Sequence, residues 1–100
     1  MNAPGDEPGR WTVERTLEIS NEKGLHARAS ARFVEVVEAH DAEAEVVCDG
    51  QAVPADSIMG LLTLGAARGR TIALRARGPQ AEALADALAR LVASRFGEPF

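Results

Sequence analysis

The chain has 100 residues, 46% of them hydrophobic and 26% charged, with a formal net charge of −4. That length supports one domain with one modest core, and the balance excludes a disordered chain. The negative charge argues against nucleic acid as a partner, and the single cysteine, Cys48, excludes an internal disulfide and a Cys-rich zinc site; no metal or cofactor is expected.

No early apolar run has the make-up of a secretory signal, and no stretch reaches bilayer length. A cytoplasmic protein without membrane insertion is therefore expected. Residues 1–11 hold Pro4, Gly5, Pro8 and Gly9 among charges and read as a loosely ordered extension. Trp11 either anchors its end or is simply a packed aromatic. From Thr12 to Ser20 the odd positions Val13, Leu17 and Ile19 are apolar, which predicts a half-buried strand that Arg15 interrupts. Residues 21–24 read as a turn. A helix follows over about 27–39, with Ala29, Phe33, Val36, Val37 and His40 at helical spacing.

Residues 43–48 alternate again, so Cys48 reads as a small buried hydrophobe. Asp49-Gly50 signals a hairpin, because a two-residue primed turn needs positive φ. Residues 51–53 form the return strand, ended by Pro54. A short helix spans about 57–64, with Ser57 or Asp56 as its N-cap. The fourth strand, residues 70–77, turns Ile72, Leu74 and Ala76 inward, and Gly78-Pro79 breaks it. A last helix over about 80–95 carries the stripe Leu84, Leu88, Leu91 and Val92, with Asp86 and Arg90 paired at i,i+4 on its other face. Arg68, Arg70, Arg75 and Arg77 read as a solvated strand face rather than an RNA contact, and His40 as structural.

The order β-α-β-β-α-β-α, with short connections, implies an α+β fold: an open-faced β-sandwich in which three helices cover one face of a four-stranded antiparallel sheet. The domain is expected over 12–96, leaving 97–100 as a tail.

Within this frame, Gly24-Leu25-His26-Ala27-Arg28-Ala29-Ser30 puts a histidine directly ahead of an amphipathic helix. Free N–H groups and the positive dipole end at a helix start favour anions, so a phosphoryl group on that imidazole would be met there. The helix end also disfavours a nearby imidazolium, which favours the neutral, nucleophilic ring. The dipole is worth about 0.3–1 kcal/mol, and a charged hydrogen bond, where a cation such as the Arg28 guanidinium two residues on could reach the group, about 1.5–3 kcal/mol. Any group held reversibly at such a site must not be trapped, since each ~1.4 kcal/mol of excess stabilisation shifts its release tenfold.

Gly24-Leu25-His26-Ala27-Arg28 resembles the active-site motif of HPr, the histidine phosphocarrier family of the bacterial phosphotransferase system. Ser57-Ile58-Met59-Gly60 resembles the family's second motif, at the matching interval, and the likeness runs from about Thr12 to Arg95. It implies a phosphocarrier, not a stand-alone enzyme. By that resemblance His26 would take a phosphoryl group on Nδ1 from phosphorylated enzyme I and pass it to enzyme IIA-type domains, with Arg28 steadying the phosphate. Ser57 matches the serine modified, in some lineages, by HPr kinase/phosphorylase. The motif usually continues with proline and alanine, where this chain has Ala29 and Ser30. Ala29 restores a backbone N–H, so the amides of Ala27, Ala29 and Ser30 are candidate phosphate donors.

Docking of partners needs an apolar patch, for which Ile58, Met59 and Leu62 are candidates; at i, i+1 and i+4 they cannot all face inward. A phosphate on Ser57 would add about −1.5 to −2 charges to that surface and block docking. A monomer making transient encounters is expected. Two rival readings are a carrier serving a nitrogen-related phosphorelay rather than sugar uptake, and a regulatory domain that binds a small ligand. The last would need a pocket of convergent polar groups, and the sequence shows none outside residues 26–30.

Overall fold

The computed structural model describes residues 10–100; residues 1–9, nearly all of the expected extension, lie outside the described residues. The elements run β1 (Val13–Glu18), α1 (Ala27–Glu38), β2 (Glu43–Cys48), β3 (Gln51–Pro54), α2 (Ile58–Leu64), β4 (Thr71–Arg77) and α3 (Ala81–Ala93). The four strands form one antiparallel sheet in the order β1-β4-β2-β3. The open-faced sandwich expected from the alternation is the fold observed.

The inward residues of the strands, Ile72, Leu74, Ala76 and Val46, are fully buried against Phe33 of α1, Leu61 of α2, and Leu84 and Leu88 of α3. Asp49 and Gly50 both take positive φ, 52° and 80°, as a primed hairpin requires. Cys48 is buried, as a small hydrophobe would be. His40 directs Nδ1 at the Val36 carbonyl, 2.8 Å away, closing the end of α1.

Arg15, the apparent blemish of β1, sits on the edge strand opposite Leu74 and reaches α3, with its guanidinium 3.2 Å from Glu82 and 3.5 Å from Asp86. That contact replaces the expected Asp86–Arg90 pair: Asp86 turns toward the sheet edge, where the more enclosed guanidinium lies. On the uncovered face of the sheet, Arg75 lies between Glu14 and Glu45, and Arg77 is 2.7 Å from Glu43 and stacks over the Trp11 ring at 4.3 Å. Arg70 pairs with Asp49 at 2.6 Å. Three of the four clustered arginines are thus matched by carboxylates in exposed pairs, each worth little in water.

The end of α3 departs further from expectation. The helix stops at Ala93, and Arg95, Phe96 and Gly97 then take left-handed φ values of 58°, 57° and 77°. Left-handed backbone costs non-glycine residues about 1–2 kcal/mol each, so tertiary contacts must hold the turn. They do: Phe96 is completely buried, and its carbonyl accepts a hydrogen bond from Arg32 of α1. Residues 97–100, expected to form a tail, therefore fold back. Their backbone is tied down by Glu22, whose N–H donates to the Phe100 carbonyl at 3.0 Å.

Candidate functional site

His26 is placed by the connection between β1 and α1. That segment is stitched to the loop after α2: Leu25 donates to the Ala66 carbonyl at 3.0 Å and Gly69 to the Ile19 carbonyl at 2.7 Å. Gly24 sits between them with φ +62°, and a Cβ there would lie 2.4 Å from the Ala66 oxygen. Only glycine satisfies both the backbone angle and the close approach.

The chain then enters α1 with His26 itself as the N-cap residue, in extended conformation. The first helical bond runs from Ser30 N–H to the His26 carbonyl at 2.9 Å. The N–H groups of Ala27, Arg28 and Ala29 are therefore left without helical acceptors, and no side chain caps them. Ser30 does not join this donor set. Its amide is engaged, its side chain is fully buried, and its hydroxyl donates to the Leu25 carbonyl at 3.3 Å. The Ala29 amide, by contrast, is free at the third helical position.

The imidazole of His26 keeps 26% of its side-chain surface exposed, and its Nε2 lies 2.5 Å from Oε2 of Glu98. Among the described residues Nδ1 has no hydrogen-bond partner. A carboxylate on Nε2 selects the Nε2–H tautomer and leaves the Nδ1 lone pair available. Glu98 is in turn gripped by Asn21, whose buried amide donates 3.0 Å to Oε1 of Glu98 and 2.9 Å to the Gly24 carbonyl. Burial alone would raise the Glu98 carboxyl. The hydrogen bonds from Asn21 and His26, with electrostatic attraction from the His26 ring and Lys23, outweigh it and hold the group below its ordinary value of 4.5.

Arg28, exposed at the second helical position, makes no ion pair among the described residues. It borders a shallow cleft together with His26, Lys23, Glu22 and Glu98. The arrangement can thus present a nucleophilic imidazole nitrogen beside three unpaired amides and a guanidinium.

On α2, Ser57 is the N-cap residue, ahead of Asp56, and its Oγ accepts from the Gly60 N–H at 2.9 Å. Of the apolar trio, Met59 is 72% exposed and Ile58 40%, while Leu62 is half-buried and Leu61 makes the core contact. Sequence reasoning missed Glu98, Asn21 and Lys23. Nothing local marks Glu98, which stands 72 positions beyond His26; an aromatic, Phe96, just past the stripe of α3 is the signal in the sequence that the last residues fold back.

The family model described as "PTS HPr component phosphorylation site" matches residues 13–94. The chain belongs to the HPr family. Among curated HPr-family relatives, phosphocarrier protein HPr of Cupriavidus necator is 40% identical over 86 residues, covering 86% of this chain and 97% of the relative. Phosphocarrier protein NPr of Escherichia coli K12 is 40% identical over 88 residues, covering 87% and 98%. A crystal structure of HPr from Thermoanaerobacter tengcongensis superposes with a TM-score of 0.85 at 39% identity, over 89% of this chain and 100% of that one. The phosphocarrier role of the PTS comes with the family. The match stops at residue 94, so Glu98 lies outside it.

Proposed function

We propose that His26 accepts a phosphoryl group on Nδ1 from phosphorylated enzyme I and passes it to enzyme IIA-type domains, the chain itself catalysing nothing without a partner. One observation carries this reading: Nε2 is occupied by Glu98, while Nδ1 is unpartnered at a helix start that offers three free amides. The Ala27, Arg28 and Ala29 amides and the Arg28 guanidinium would receive the phosphate oxygens. Ile58, Met59 and Leu62 would form the docking surface, and phosphorylation of Ser57 by HPr kinase/phosphorylase would put a hydrated dianion at its edge. The carrier would act in the cytoplasm as a monomer.

Relatives named HPr and NPr occur at comparable identity, and the NPr of Klebsiella oxytoca is 44% identical over 80 residues. Sugar uptake and a nitrogen-related phosphorelay therefore stand as the two readings of the branch served, and relatives of both names support the carrier itself. The small-ligand reading has no comparable support.

Incubation with phosphoenolpyruvate and enzyme I, followed by intact mass, tests the carrier. An acid-labile phosphate that disappears in His26→Ala is the expected result, with slower gain and loss of phosphate in Arg28→Ala. Phosphate retained by His26→Ala would overturn the assignment.

A further inference from the structure

We infer that Glu98, held by Asn21, is a positioning residue that keeps a proton on Nε2 of His26 while Nδ1 carries the phosphoryl group, and so sets how readily that group leaves. The inference rests on the phosphocarrier reading and deepens it. It begins from the geometry of the last residues. A strained left-handed turn at Arg95, Phe96 and Gly97 is fixed by a buried ring and by Arg32, and its outcome is one carboxylate 2.5 Å from one ring nitrogen. Asn21 holds the second oxygen of that carboxylate, so Glu98 cannot swing away without giving up a buried amide donor. Backbone strain of this kind clusters at functional sites, where the surrounding structure holds it in place.

The chemistry gives the delivery a purpose. In the acceptor step, the Nδ1 lone pair attacks phosphorus, the bond from phosphorus to the donor protein breaks, and its electron pair stays with the donor. The ring, with its proton still on Nε2, now bears a positive charge that the Glu98 carboxylate faces directly. In the onward step a nucleophile of the acceptor protein, or water, attacks phosphorus and the Nδ1–P pair returns to the ring. With the Nε2 proton in place the leaving group is neutral imidazole. Without it the leaving group would be an imidazolate anion, which departs far less readily. A carboxylate on Nε2 therefore favours the form that transfers.

The other charges around the ring are Lys23 and Glu22 from the β1–α1 connection, Arg28 from α1, and the helix end itself. Lys23, Arg28 and the helix end oppose a cationic ring, and Glu22 favours one. Among the described residues Glu98 alone touches the ring nitrogen.

The test uses the phosphorylated full-length chain, prepared with enzyme I and phosphoenolpyruvate, and follows loss of phosphate by intact mass across the neutral-to-alkaline range. In Glu98→Gln the pH at which hydrolysis slows moves down by about one unit, a roughly tenfold lower rate on the alkaline limb, and Glu98→Asp restores part of the shift. In the unphosphorylated protein, 15N spectra of the ring show the Nε2–H tautomer in wild type and a mixture in Glu98→Gln. Superimposable profiles and unchanged tautomers in a folded Glu98→Gln protein overturn the inference while leaving the carrier intact. A wild-type chain that takes no phosphate on His26 overturns both. Should Glu98→Gln not fold, Glu98→Asp and Glu98→Ala give the same comparison.

Discussion

Replacing Gly24 by alanine should cost more than any ordinary glycine substitution in this chain, and the size of the excess can be worked from two positions. At Gly50, φ is +80° and a Cβ would meet nothing within 4 Å. Gly50→Ala therefore measures the backbone penalty alone, about 1–2 kcal/mol. At Gly24, φ is +62° and the same Cβ would lie 2.4 Å from the Ala66 oxygen and 3.0 Å from the Ala67 Cα, both of them backbone atoms. Backbone cannot rotate aside as a flexible side chain does, so forced displacement adds about 1–3 kcal/mol, for a total of about 2–5 kcal/mol. In a domain of this size each kcal/mol lowers the melting temperature by about 4–8 °C. Thermal unfolding of the two variants side by side should thus place Gly24→Ala at least about 4 °C below Gly50→Ala. The Leu25–Ala66 hydrogen bond is the first to be pushed apart, so Gly24→Ala should also take up phosphate more slowly than Gly50→Ala. Equal melting temperatures would refute the argument that close backbone approach, and not φ, requires this glycine.

The carboxyl of Glu98 titrates lower in the native chain than in the unfolded one, where 4.5 applies, so the unfolded state binds its proton first as pH falls. Its contribution is complete above that value and fades as pH drops through the native one; denaturant unfolding of wild type and Glu98→Gln should show a stability gap that narrows in acid, and a gap independent of pH would contradict the assignment. Ser57→Ala removes the oxygen that accepts from Gly60 and should cost about 1 kcal/mol in urea unfolding. Ser57→Asp retains a capping oxygen, so it should unfold close to wild type yet bind enzyme I more weakly. Equal affinity for the two would count against Ser57 as the control point.

Much of this architecture is legible in the chain because its signals are local. Val13, Leu17 and Ile19 declare β1 by period two, Asp49-Gly50 announces the hairpin, and Ser57 precedes its helix as a cap should. His26 and Arg28 are legible for the same reason: their roles follow from standing at the first turn of a helix. Glu98 and Asn21 are not, since neither has a periodic partner or a motif, and the turn that joins them uses Arg95 and Phe96 in a conformation that neither residue prefers. Arg15 was misleading for a related reason. Its place on a sheet edge beside α3 is a fact of topology, invisible to a pattern of alternation.

The two ends of the described chain are not equivalent for anyone attaching a label. Entry is at Arg10, before β1, whose six residues cover roughly 20 Å of length before the backbone turns toward the imidazole. Exit is at Phe100, on the very rim of the histidine's cleft, with its carbonyl bonded to Glu22. A purification tag or fluorophore joined after Phe100 would stand at the mouth of that cleft, whereas one joined ahead of β1 meets the domain at the far end of its first strand.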